Sequence, residues 1–184
     1  EPDSWQHAQE TSQTDASKSM GTILDLFLPQ YLKSTCIGVL LAAIGLATFW
    51  GVHIYGKNVF LNAVKAEYVA EFIQTHPDSP AEATATYLGS MKAPLKQWEM
   101  LGMFLATTGG GLGLLSFGPI CEWFGRRGAF FLFHVGGLLS SLLLFNGLHS
   151  VVLIGCFLPI FGFLTLGMHA GYAIYFPELY PTRL

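Results

Sequence analysis

The chain opens on EPDSWQHAQETSQTDASKSM, where apolar residues follow no helical or strand period and Ser, Thr and Gln are frequent. A stretch that buries so little apolar surface cannot offset the entropy of ordering, so residues 1–30 are expected to be mainly a polar linker or tail. GTILDLFLPQYLKST then mixes apolar and polar positions around Pro29, a pattern suited to a short amphipathic segment on a membrane surface. From there the apolar runs lengthen. CIGVLLAAIGLATFWGVHIY, Cys36 to Tyr55, is 20 residues without a charge, enough to cross about 30 Å of hydrocarbon. MLGMFLATTGGGLGLLSFGPIC, Met100 to Cys121, repeats the pattern, and Gly128 to Pro177 holds no Lys, Arg, Asp or Glu over 50 residues. One helix of that length overshoots a bilayer, whereas two helices joined at the turn signal NGLHS, Asn146 to Ser150, fit.

The expected fold is therefore an all-α membrane protein. Four transmembrane helices fall at about 36–55, 100–121, 129–148 and 151–176, within a membrane region 31–184. An extracytoplasmic loop, 56–96, links the first two. Its first part, VFLNAVKAEYVAEFI, spaces Val59, Phe60, Ala63, Val64, Phe72 and Ile73 as a short amphipathic helix, which THPDSPAEA then breaks.

Composition agrees with the bilayer reading. Charged residues make up 11% of the chain and mean hydropathy is +0.47, against roughly 25% charged in a soluble domain. A net charge of −3 gives no footprint for nucleic acid. The three cysteines, Cys36, Cys121 and Cys156, sit in or beside apolar runs and outline no disulfide framework. The opening residue is Glu1 and the closing stretch is PELYPTRL, so the chain is expected to be part of a longer protein. No nucleophile triad, phosphate loop or metal-ligand cluster is visible, so neither an enzyme nor a cofactor is expected.

Small residues recur at helical spacing: Gly109 with Gly113, Gly136 with Ser140, Gly137 with Ser141, and Gly167 with Gly171. In lipid, where no hydrophobic force brings helices together, such spacing lets backbones pack closely.

Charge is concentrated at one turn, SFGPICEWFGRRGAFFLF. Glu122 would end one helix, Gly125 permit a sharp turn, and Arg126 and Arg127 begin the next. A carboxylate in a last helical turn opposes the helix dipole and calls for a cation or another helix's N-terminus nearby. A solvated turn carrying only a topology signal is the plainer alternative. Four crossings put both chain ends on the side of this turn. Five Lys and Arg then share that side (Lys18, Lys33, Arg126, Arg127, Arg183) against four opposite (Lys57, Lys65, Lys92, Lys96), and the short two-arginine turn leans it toward the cytoplasm.

Gly118, Glu122, Gly125, Arg126 and Arg127 resemble the signature loop of the major facilitator superfamily, G-x-x-x-D-[RK]-x-G-[RK]-[RK]. Two positions depart from it: Glu122 replaces Asp, and Trp123 stands where a basic residue is usual. YFPELYPTRL resembles the P-E-[IVL]-[FY]-P-T-x-x-R segment after helix 10 of the sugar-porter-like and organic-ion-porter-like branches. LFLPQYLKST resembles their approach to helix 7. The resemblance implies helices 7 to 10, within the C-terminal half of a twelve-helix secondary transporter, a symporter or uniporter in a plasma or inner membrane. It implies a small organic solute or ion as cargo, and the bilayer and the remaining helices as partners. It also implies that Glu122, Arg126, Arg127, Glu178 and Arg183 form a cytoplasmic charge network that latches the inner gate. Helices 7 and 10 of that family line the central cavity.

On those two spans the cavity candidates are Thr48, Trp50 and His53, with Tyr55 near the end, and Thr165, His169 and Tyr172, which fall on one stripe. Intramembrane histidines are functional candidates because an unpartnered one is costly there. The plainer reading for each is a histidine bonded to a neighbouring helix. No Asp or Glu lies within the four spans, so proton coupling would fall to a histidine or to another part of the protein. The Gln-Gln pair usual in helix 7 of sugar porters is missing, which disfavours a hexose carrier.

Two other classes remain open. His134 and His169 lie at similar depth, roughly 10 to 14 Å from the charged side at helical rise, so an intramembrane haem or redox four-helix protein is one alternative. A non-transporting four-span scaffold is the other.

Overall fold

The computed structural model describes residues 22–78 and 80–180, with the side chains of Thr48 and Val52 excepted. The expected linker falls largely outside them. Thr22 donates its backbone N–H to the Asp25 carboxylate at 2.7 Å, opening a 3₁₀ turn over Ile23–Phe27. Helix α1 follows over Pro29–Thr75, with Pro29 at its first position, where the missing N–H costs nothing. Helices α2 (Ala81–Ser90), α3 (Lys92–Asn146) and α4 (Val151–Glu178) complete the order, and no strand occurs among the described residues.

Three of these helices, α1, α3 and α4, are long and apolar enough to cross a membrane. Helix α3 is interrupted at Gly125, whose φ of +72° and ψ of 161° lie outside any helix. That conformation is open essentially to glycine alone. The break divides α3 into helical stretches 92–124 and 126–146, so four apolar helical lengths result. The turn between α3 and α4 falls at residues 147–150, as NGLHS predicts. Helix α1 differs in extent from the pattern-based expectation. The apolar run ends near Tyr55, yet the helix continues unbroken through the amphipathic stretch to Thr75, ending just before His76. Ala, Lys and Glu in NAVKAEYVAEF favour helix, so nothing local ends it at the edge of the apolar run.

Contacts divide the chain into two compact units, Ala47–Gly171 on one hand and the residues up to Leu46 with those from Tyr172 on the other. In the Ala47–Gly171 unit, α3 and α4 meet backbone to backbone. A Cβ built on Gly109 would stand 1.9 Å from the Pro159 carbonyl oxygen, one on Gly113 2.2 Å from that of Phe163, and one on Gly162 1.9 Å from that of Ala106. The small-residue spacing thus marks a helix interface, because only glycine lets these backbones approach so closely. Phe60, Val64, Ala106, Leu144, Ile154, Leu158 and Phe161 form one buried cluster. Phe117 and Phe133 are buried close by one another, with ring centres 5.3 Å apart.

The outward surface is apolar as well. Leu115 is 78% exposed, and Phe131 and Val152 are each 70% exposed. So much large apolar surface suits lipid rather than water.

In the other unit, the start of α1 packs on the end of α4. Thr35, 7% exposed, donates its hydroxyl to the Leu26 carbonyl at 2.7 Å and accepts one from the Tyr180 hydroxyl at 3.2 Å. Gly38 faces Leu179, and Gly45 faces the ring of Tyr172, which stacks on Phe176 at 5.5 Å.

Candidate functional site

Past its apolar run, α1 carries Lys57, and one residue before the second apolar run α3 carries Glu99. The Lys57 ammonium donates to one carboxylate oxygen of Glu99, and Lys96, one turn back on α3, donates to the other at 2.9 Å. Lys57 and Glu99 are only 21% and 19% exposed, whereas Lys96 is 66% exposed. The two lysine hydrogen bonds pull the Glu99 carboxyl down to about 2.

Beside this pair lies a pocket of about 100 Å³. Phe49, Trp50, His53 and Lys57 line it from α1, Met103 and Thr107 from α3. The period of α1 places Phe49, His53 and Lys57 on successive turns of one face. Phe49 also meets the ring of His169 on α4, with centres 4.9 Å apart, and His53 at 4.8 Å. Both ring nitrogens of His169 and the Nδ1 of His53 are buried, and His53 Nδ1 has no hydrogen-bond partner among the described residues. His53 and Lys57 thus line a largely apolar pocket, His169 lies behind the Phe49 ring, and Glu99 bonds the lysine from outside the lining. A second pocket of about 200 Å³ is lined by Glu67, Tyr68, Glu71 and Trp98, where the Trp98 indole N–H reaches the Tyr68 hydroxyl at 3.4 Å.

Among the cavity candidates, the structure brings Trp50, His53 and His169 to one neighbourhood. Thr165 is buried nearby on α4 but donates its hydroxyl to the Phe161 carbonyl of its own helix at 2.7 Å. Tyr172 belongs to the other unit, against Gly45. Thr48 lies in α1 with its side chain outside the described residues. His134 donates its Nδ1–H to the Phe130 carbonyl at 2.8 Å.

At the charged turn, Gly118, Glu122, Gly125, Arg126 and Arg127 are all exposed around the Gly125 break. Glu178 is the exposed last residue of α4 and belongs to the other unit. Arg183 lies outside the described residues. No group of three metal-ligating side chains occurs among the described residues.

Phe49, Lys57, Glu99, Met103 and Thr107 were not among the sequence candidates. Phe49 and Lys57 carry a signal, since they flank His53 at four-residue spacing. Glu99 lies 42 residues from Lys57, and nothing local in the sequence pairs them.

The fold and these sites define an all-helical protein with helices able to cross a membrane. No known protein family, curated protein or solved structure matches the chain.

Proposed function

We propose that this chain contributes helices 7 to 10 of a twelve-helix secondary transporter of the major facilitator kind, moving a small organic solute or ion by alternating access. The observation that carries the reading is the helix break at Gly125, inside the spacing G-x-x-x-E-x-x-G-R-R. A helix-to-helix turn with an acid before the glycine and two arginines after it is what a switchable cytoplasmic latch requires. The Tyr180–Thr35 hydrogen bond is a second support, because it joins the two segments that resemble the flanks of helices 10 and 7.

In this reading both ends and the Arg126–Arg127 turn face the cytoplasm. Glu122, Arg126, Arg127, Glu178 and Arg183 form ion pairs that hold the inner gate shut in the outward-facing state and part in the inward-facing one. Removing a member shifts the population between the two states. Thr48, Trp50, His53, Thr165, His169 and Tyr172 lie on the helices that line the solute cavity. No bond is made or broken in the cargo, so the protein is not an enzyme.

The test is solute uptake by the complete protein in liposomes, combined with labelling of cysteines placed across the inner gate. Arg126→Ala and Glu178→Ala each raise labelling from the cytoplasmic side. Unchanged labelling in both variants would overturn the latch, and absence of any solute flux in a broad uptake screen would overturn the transporter.

A further inference from the structure

Three features of the Phe49–Thr107 pocket stand together. Its volume of about 100 Å³ is well under the roughly 300–1,000 Å³ of pockets for drug-sized ligands, so it admits one small ring. Its walls are mostly apolar, with aromatic rings from Phe49 and Trp50 and aliphatic surface from Ile54 and Met103, beside the His53 ring and Thr107. Its charged lining residue is Lys57, already bonded to Glu99, which is itself bonded to Lys96.

That last arrangement carries the argument. The three groups sum to one positive charge, two lysines against one glutamate. If Lys57 turned into the pocket, Glu99 would keep the charge-assisted hydrogen bond from Lys96 and would not be left as an uncompensated carboxylate. Lys57 is thus a releasable cation, whereas Glu99 is held twice. A cationic ligand would meet the unfavourable arrangement, because the nearest acid is already neutralised by two lysines. An anionic ligand would take the place of Glu99 on Lys57.

We propose that this pocket binds a small aromatic monocarboxylate, its ring against Phe49 and Trp50 and its carboxylate exchanging with Glu99 for the Lys57 ammonium. The proposal names a solute class for the transporter reading and rests on that reading only for its biological use.

The test uses the complete protein in phosphatidylcholine nanodiscs, which bring no anionic headgroup. Benzoate is titrated by calorimetry, with benzyl alcohol and benzylammonium as probes of equal ring and different charge. Benzoate should bind saturably, and the other two at least about tenfold more weakly, as expected when a charge-assisted hydrogen bond is lost. Lys57→Ala should weaken benzoate by about tenfold or more, and Lys57→Arg should restore most of it. Glu99→Gln removes the internal competitor and should tighten benzoate by about 3- to 10-fold. The opposite signs guard against a variant that merely misfolds, since damage lowers affinity in both. No saturable benzoate binding, equal binding of benzylammonium, or weaker binding in Glu99→Gln would each overturn the proposal. Benzoate binding that depends on Lys57 without flux in liposomes upholds the site and removes the transporter reading. Flux of benzoate indifferent to Lys57→Ala does the reverse.

Discussion

The Tyr180 hydroxyl donates to Thr35 Oγ1, and the Thr35 hydroxyl donates in turn to the Leu26 carbonyl. The bond spans 145 positions of sequence and ties the chain entering α1 to the chain leaving α4. Thr35 is buried, so its own hydroxyl depends on these two partners.

Tyr180→Phe removes one hydrogen bond and is expected to cost about 0.5–1.5 kcal/mol. Thr35→Val removes both and strands the Leu26 carbonyl, so it should cost more, about 1–3 kcal/mol. Because the bond is shared, the double variant should be little worse than Thr35→Val alone. Unfolding midpoints in mixed detergent, taken as a double-mutant cycle, check this. Strict additivity would mean that the two hydroxyls do not interact.

The glycine interface makes a sharper demand. A methyl at Gly162 or Gly109 meets a backbone carbonyl oxygen at 1.9 Å, and a backbone cannot swing aside as a side chain would. Gly162→Ala and Gly109→Ala are expected to destabilise by about 1–3 kcal/mol or more. Gly111, two residues along the same helix, has nothing within 4 Å of its added Cβ. Gly111→Ala should be neutral or stabilising by up to about 1 kcal/mol. Equal effects at Gly109 and Gly111 would dismiss the close approach of α3 and α4.

Gly125→Ala tests the break in α3 by a different cause. Nothing crowds the position, so the cost is conformational alone. At φ +72° and ψ 161° it should come to about 1–3 kcal/mol. Gly111→Ala, equally uncrowded but helical, is again the control and should be neutral or slightly stabilising. A stable Gly125→Ala variant would mean that the helix runs straight through Arg126 and Arg127.

These glycines show how far the sequence reaches. Small-residue spacing at Gly109 and Gly113 marked an interface, but it could not say that Pro159 and Phe163 lie opposite, since partner choice depends on tertiary register. Gly125 was legible because charge on both sides of a glycine, between apolar runs, leaves few alternatives to a turn. The Asn146–Ser150 turn was legible for a similar reason of length. The continuation of α1 to Thr75 was not, because apolar patterning reports where lipid contact ends and not where the helix does. The helix Ala81–Ser90 was missed as well, for AEATATYLGS has little apolar period to betray it. His53 and His169 stood out as polar groups in apolar runs. Phe49, the ring that touches both, looked like any other apolar residue.

Glu99 supplies a prediction in pH. Its folded carboxyl titrates near 2, below its ordinary 4.5, because the Lys57 and Lys96 ammonium groups hold the ionised form. A group shifted downward on folding stabilises the fold fully above its unfolded value, and that contribution fades as pH falls through the interval to the folded value. The complete protein should therefore lose stability between about pH 4.5 and 2 in a way that Glu99→Gln does not. At neutral pH the variant should be the less stable of the two, and the curves should converge toward pH 2. Lys96→Ala should give a smaller effect of the same sign, since Lys96 is two-thirds exposed and solvent screens its pull. Unfolding midpoints across that pH range decide the matter: parallel curves for wild type and Glu99→Gln would show that the bond between α1 and α3 does not hold the carboxylate.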